Sequence, residues 1–466
     1  MPHYSPFTKE LPDIVADDLE ALQSTAEGWY VEYKRETPNA SSMAKSATAF
    51  ANTYGGWLFY GIAESSKDGA VAGSFPGIPR ADVDPALQRF RQAIANHANP
   101  SPHFETHVVW GPSAKIDLPA DHAIICVYIP WGPNAPYVHR GGHIYRRVAD
   151  GSEPKPESDR FVLDQLWQRS AEATKYFARW IEREPNLSKK QEGIPYLRLL
   201  LVADLWDDRK PWLGADVATV RAIMRGTVEA HTTMPYDTVH TSAKGFVARQ
   251  TRGNDPNGLL LTWRLSRDLS SEILFPLSWF RVDDLAMLLD YLEGYEQIER
   301  FVKIMEDRGF ERAKIIDLNV IYRVLVGISE MYNRILNAAN WSHGYHMKAV
   351  IVNAERTVPF LDLSRVFDDF ETYGVPMLLD RRVTAPPGKD PESFQAINLF
   401  DDTTDEQAKA ALQAILMFGP IAEAFGLPSW FNTDDGEEDW WMQLSNAGQR
   451  SINRQTTTAK PRRVRS

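Results

Sequence analysis

The chain has 466 residues, 43% of them hydrophobic and 24% charged, ordinary for a globular protein with room for two or three cores. A net charge of −11, and of −6 over residues 1–168 (14 Lys+Arg against 20 Asp+Glu), excludes polyanion binding through the overall field, so any phosphate-binding surface must be local. A single cysteine, Cys126, excludes an intrachain disulfide and a multi-cysteine zinc site.

The start Met1-Pro2-His3-Tyr4 lacks the basic and apolar regions of a signal peptide, and no apolar run reaches transmembrane length. A cytoplasmic protein with no membrane partner is therefore expected. The spacing of Ile14, Leu19 and Leu22 predicts a short amphipathic helix over Asp13–Ser24. Residues 29–34 read as a strand. Trp29, Val31 and Tyr33 are expected on its core side, and Tyr30, Glu32 and Lys34 on the other. A helix is expected over 41–53, capped by Ser41 or Ser42, with Met43, Ala47 and Phe50 as its buried stripe and Gly55-Gly56 as its stop. The apolar run 57–62 reads as a central strand.

A helix over Pro85–His97 follows, then strands near 104–110, 122–130, 136–138 and 143–148, and a helix from Ser158 past Trp167. Cys126 is expected to be a buried apolar residue. The polar stretch Glu184–Gly193 marks a boundary. The expected domains are 1–168, a helix and linker over 169–193, a separate α+β domain over 194–430, and an acidic then basic tail over 431–466. In the second domain, Asn257-Gly258 signals a hairpin between 246–250 and 259–265. Asp283–Arg308 reads as the longest helix, stopped by Gly309. Thr404-Asp405-Glu406-Gln407 is a capping box for a helix that Gly419-Pro420 should break. Trp430, Trp440 and Trp441 read as packing residues.

Two words carry the chemistry. The first is Glu27-Gly-Trp-Tyr-Val-Glu32-Tyr33-Lys34; the second is Phe50-Ala51-Asn52-Thr53-Tyr54-Gly55-Gly56, followed by a strand and Gly61-Ile62-Ala63-Glu64. A third element is Pro136-Tyr137 with Gly142-His143-Ile144-Tyr145-Arg146-Arg147-Val148. Together these resemble the Schlafen AlbA-like domain over about residues 15–168. The resemblance implies an α+β domain with a mixed sheet and packed helices that binds RNA or DNA. It also implies a divalent-metal-dependent endoribonuclease, with a link to bacterial defence, in which Glu27, Glu32 and Glu64 hold Mg²⁺ or Mn²⁺ and no zinc is bound. The third acid in the relatives compared is aspartate, so Glu64 is a longer arm at that place. The motif set occurs once, and a homodimer is expected to supply a second lobe.

Read from the residues, carboxylates suit magnesium and manganese, and three of them brought together raise one another's pKa. Lys34 shares the Glu32 face and can offset that repulsion or meet a phosphate. Arg140, Arg146 and Arg147, with His139 and His143, form the best basic cluster, and Tyr137 and Tyr145 could stack on bases. Alternation puts Arg146 and Arg147 on opposite sides, so only one lines a given groove. Two alternatives stay open: a non-catalytic DNA- or RNA-binding regulator, and a nucleotide-binding module at the Gly55-Gly56 turn. The phosphate-loop word is absent.

Overall fold

The computed structural model describes residues 4–9, 11–65, 70–148, 151–185, 187, 189, 191–205, 211–225, 236–400, 402–428, 443–448 and 450. These divide into two compact units, one reaching Phe177 and the other starting at Ala178. Trp430, Trp440, Trp441 and the basic segment after Arg450 lie outside the described residues.

In the first unit, β1 (Val31–Lys34), α1 (Ala40–Asn52) and β2 (Gly56–Tyr60) form a parallel strand pair joined by a helix, with Glu32 opposite Leu58. There follow β3 (Ala63–Glu64), β4 (Ala72–Ser74), β5 (Ile78–Pro79), α2 (Arg80–His97), β6 (Ala98–Asn99), β7 (Glu105–Trp110) and β8 (His122–Ile129). The main sheet runs β1-β2-β8-β5, with β7 also on β8, and every pairing except β1–β2 is antiparallel. The sheet is mixed, as expected. Three further strands, β9 (Val138–His139), β10 (Tyr145–Val148) and β11 (Gly151–Pro156), lead to α3 (Arg160–Glu182).

Both faces of β2 are covered. Leu58 and Tyr60 join Met43, Ala47 and Phe50 of α1 and Phe90 of α2 in one core. Trp57 and Phe59 join Val31, Tyr33, Cys126, Leu19 and Leu22 in the other. That sandwiching explains why 57–60 reads as an unbroken apolar run. It also alters the expectation for β1. Val31 and Tyr33 are buried, but Glu32 on the opposite face is only 1% exposed, because α1 lies over it.

Several local expectations are corrected. The 13–24 segment is two 3₁₀ stretches, Leu11–Asp13 and Ala16–Ser24, although Ile14, Leu19 and Leu22 are buried as anticipated. Helix α1 is capped by Asn39, whose Oδ1 accepts from the Ser42 N–H at 2.9 Å, and not by Ser41 or Ser42.

The second unit is also α+β. It contains β12 (Tyr196–Val202), α4 (Val217–Arg225), β13 (Thr238–Thr241), β14 (Gly245–Arg249), β15 (Thr262–Ser266), β16 (Ser271–Pro276) and β17 (Trp279–Val282). Next come α5 (Met287–Tyr291), α6 (Ile298–Asp307), β18 (Ala313–Asp317), α7 (Leu318–Ala338), β19 (Tyr345–Val352), β20 (Val358–Phe360), α8 (Ser364–Tyr373), β21 (Arg382–Ala385), β22 (Gln395–Ile397) and α9 (Glu406–Ala424). Its large sheet runs β13-β14-β15-β16-β12-β19-β21, with β22 also on β19. The hairpin around Asn257-Gly258 is present as β14–β15.

The single helix expected over 283–308 is instead the pair α5 and α6, interrupted near Gly294, whose φ of +93° no helix accommodates. Helix α9 opens at Asp405 as expected but continues through Pro420 to Ala424. Proline removes one hydrogen bond there, while Met417, Phe418, Ile421 and Ala422 are fully buried, and that apolar burial outweighs the lost bond.

Candidate nucleic-acid interface and carboxylate site

Helix α1 and strand β10 organise the site. Asn52, 1% exposed, ends α1 and ties two later chain segments to it. Its Nδ2 donates to the carbonyls of Tyr137 at 2.8 Å and Tyr145 at 3.0 Å, and its Oδ1 accepts from the Tyr137 N–H at 2.7 Å. Thr53 Oγ1 accepts from the Arg147 N–H at 3.0 Å while donating to the Ala49 carbonyl. The Asn-Thr pair thus fastens the Pro-Tyr and Tyr-x-Arg segments to the helix end, which is more than the C-cap expected from sequence. Gly55 has φ +75°, and a Cβ on Gly56 would lie 2.4 Å from the Phe50 ring, so both turn positions need glycine.

Arg147 is fully buried. Its guanidinium lies over the Phe50 ring at 4.8 Å and donates to Glu32 Oε2 at 2.9 Å, to the Gly28 carbonyl at 2.8 Å and to the Val31 carbonyl at 3.2 Å. Glu32 Oε1 accepts from Ser46 Oγ at 3.0 Å and pairs with Lys34 Nζ at 3.0 Å. Both oxygens of Glu32 are therefore engaged by protein donors. Lys34 offsets acid repulsion, and its pKa is raised; burial works against that rise, and the Glu32 carboxylate drives it.

Glu27 is different. Its Oε1 accepts from the Tyr33 N–H, but its Oε2 is buried with no hydrogen-bond partner. Burial raises its pKa to about 7; the Tyr33 N–H and Lys34 oppose the rise, and Glu64 and Glu32 add to it. Glu64 is exposed at the β3–β4 pairing. The three acids thus share one electrostatic neighbourhood, yet they are not equivalent. For a divalent ion, the orphaned oxygen of Glu27 and the exposed Glu64 fit, whereas Glu32 would first have to release a donor. Among the described residues, no group of three or more His, Cys, Asp or Glu side chains is arranged to hold a metal.

The basic residues also separate. Arg146, 21% exposed, pairs with Glu157 at 2.8 Å on the side of β10 opposite Arg147, as alternation requires. Arg140 and His143 are exposed in the turn between β9 and β10, and Arg140 forms no ion pair among the described residues. His139 is 8% exposed. Its Nδ1 accepts from the Gly141 N–H at 3.1 Å, which leaves the proton on Nε2 facing the Ser41 carbonyl and hydroxyl, each at 3.2 Å. Burial lowers its pKa, with the Ser41 carbonyl opposing. It is a structural imidazole.

Tyr137 is buried, but Tyr145 remains partly exposed beside His143. Lys45 on α1 lies over the Tyr145 ring at 5.3 Å and pairs with Glu153 at 3.0 Å. Sequence reading missed Lys45; its place on the helix face shared with Ser41 is the available signal. The resulting surface joins Lys45, Arg140, His143 and Tyr145, a mix of cations and an aromatic ring suited to phosphate and base.

Residues 27–156 match the family model described as Schlafen, AlbA_2. That match lies in the N-terminal third, contains Glu27, Glu32, Glu64, Arg140, Arg146 and Arg147, and is to a family suggestive of nucleic-acid binding. A crystal structure of the DIP2311 protein from Corynebacterium diphtheriae is similar at 17% identity and a TM-score of 0.21, over 36% of this chain and 34% of that one. The chain thus spans about a third of that protein's length. No curated protein matches the chain.

Proposed function

From the premise that residues 27–156 are a Schlafen AlbA_2 domain, we propose that the protein binds nucleic acid through the Arg140–His143 turn, Lys45 and Tyr145. The observation that carries this reading is the part-exposed Tyr145 ring with Lys45 at 5.3 Å and His143 at 5.8 Å, following in the chain the turn that bears the exposed Arg140. Because the chain is acidic overall, affinity must come from this small patch and must fall steeply with salt. Fluorescence anisotropy with labelled transfer RNA, single-stranded DNA and duplex DNA over a salt series tests it. Binding that weakens with salt, and weakens several-fold further in Arg140→Ala or Lys45→Ala, is the expected result. No binding to any of the three at low salt rejects the proposal.

A second reading is divalent-metal-dependent RNA cleavage, favoured by the unpartnered Glu27 oxygen near Glu64 and Lys34. Glu27 and Glu64 would hold Mg²⁺ or Mn²⁺. Such an ion supplies polarisation of a phosphoryl group and a more acidic water. Glu32 serves by keeping Lys34 in place, and Lys34 would position phosphate. Incubating transfer RNA with the protein in Mn²⁺ or EDTA tests this. Metal-dependent cleavage lost in Glu27→Gln and Glu64→Gln supports it; cleavage surviving both rejects this carboxylate assignment, and no cleavage at all leaves binding alone. A defence role is tied to that cleavage. The homodimer belongs to the same reading, and a monomeric mass in solution rejects it.

A further inference from the structure

The first unit carries a second surface of part-exposed aromatic rings. Tyr54, 39% exposed, follows the end of α1. Its ring lies 5.4 Å from Trp29 and 6.0 Å from Tyr30, and Tyr30 stacks on Tyr4 at 4.7 Å. Trp29, Tyr30 and Tyr4 are all partly exposed. Next in the chain, Gly55 abuts the backbone of Trp131, itself partly exposed, with only 2.7 Å between a notional Cβ and the Trp131 nitrogen. The turn thus brings the Trp131 backbone against Gly55, next in the chain to Tyr54.

A cation links the two sides of the turn. The Arg169 guanidinium lies 4.6 Å over the Trp131 ring and donates to the carbonyls of Ala51, Gly132 and Asn52 at 3.2, 3.3 and 3.3 Å. Among the described residues it forms no ion pair with a carboxylate. Burial lowers its pKa to about 10, so it stays charged at neutral pH. A fixed cation that lies over Trp131, interacts electrostatically with Tyr54 and forms no ion pair among the described residues complements an anionic ligand that carries flat π-faces.

We propose that Trp29, Tyr30, Tyr54 and Trp131, with Arg169, form a shelf that stacks unpaired bases of a single-stranded nucleic acid. This rests on the nucleic-acid reading above and specifies its substrate class. Duplex bases hide their faces in the stack, so rings of this kind discriminate in favour of single strands, and they do so with little regard to sequence. Arg169 supplies charge next to the ring that the first base would meet.

The test is anisotropy with oligodeoxythymidylate, an abasic deoxyribose-phosphate strand of equal length, and a blunt duplex. The expected order is oligodeoxythymidylate tightest, with the abasic strand weaker by at least about 5–150-fold, the value of one stacked base. Tyr54→Ala should bring oligodeoxythymidylate down to the abasic level while Tyr54→Phe retains it, and neither should alter duplex binding. Equal affinity for the normal and abasic strands overturns the shelf even if no variant folds. Binding of all three that is indifferent to Tyr54→Ala overturns the shelf alone. Failure of every polymer to bind overturns the shelf together with the reading it rests on.

Discussion

Each unit buries one arginine–glutamate pair, and the two pairs differ in what surrounds them. In the first, Arg147 meets Glu32 with both side chains within 1% of full burial, and Glu32 also holds Lys34. In the second, Arg198 is fully buried and meets Glu272 at 2.7 Å, while Arg183 and Arg264, each about half exposed, also reach Glu272. Arg198 further donates to the carbonyls of Trp180 and Ile181, closing the end of α3. Both pairs do the same structural work, compensating a charge that burial would otherwise penalise. Only the first lies in a motif. Membership in the motif therefore does not by itself put Glu32 in contact with a ligand. The neighbour of the first pair, Glu27, keeps an unpartnered oxygen, and the chemistry collects there.

The comparison breaks if the pairs are not equivalent in stability. Arg147→Ala and Arg198→Ala should each destabilise, by up to about 3–5 kcal/mol and by less where Lys34 still holds Glu32 or Arg183 and Arg264 still hold Glu272, and denaturant unfolding measures both. A near-neutral Arg147→Ala would mean that Glu32 finds water or a cation instead, and would return it to the list of metal ligands. Next in size is Asn52→Ala. It leaves the Tyr137 N–H and two carbonyls without partners, and a loss of about 2–4 kcal/mol is expected by the same measurement.

Glu27 sharpens the contrast through pH. Its folded pKa of about 7 lies above the ordinary 4.5, so between those values the folded form retains a proton that the unfolded chain has lost. Its contribution to stability is then most favourable below 4.5, falls as pH rises through 4.5 to 7, and stays at its lower level above that window. Glu27→Gln removes that slope and gains about 1–2 kcal/mol at pH 8, the full shift being screened at a part-exposed site. Melting curves taken at pH 4.5 and pH 8 decide it; an unchanged pH slope in the variant shows that the oxygen is solvated or paired. The smallest effect is Asn39→Ala, about 1 kcal/mol from loss of the α1 cap, with Ser41→Ala and Ser42→Ala smaller.

Much of the first unit was legible because its signals are local. Val31, Tyr33 and the 57–60 run declare strands by burial, and Gly55-Gly56 marks a turn that tolerates no side chain. The carboxylate neighbourhood was also legible in outline, since Glu27 and Glu32 flank one strand start and Glu64 follows the next. Less was legible in the second unit. Gly294 divides an apolar periodicity that looks continuous, and Pro420 sits inside a helix whose buried face outweighs the break. Arg169 could not have been found. No local pattern distinguishes it from other helix arginines, and its three carbonyl partners lie about 37 to 118 residues away.

Residue order alone determined the elements that depend on backbone preference and on alternating polarity: the strands of the first unit, the glycine turn and the match of residues 27–156 to the Schlafen, AlbA_2 family model. The partners of each charge were decided only by the folded arrangement. Glu32 and Arg147 stand 115 residues apart, and the sequence assigned both to a ligand. Packing α1 across β1 closed them off from solvent, and a buried charge must find its opposite. Glu27, five positions earlier, lies at the rim of the same packing, where one oxygen is left without a donor.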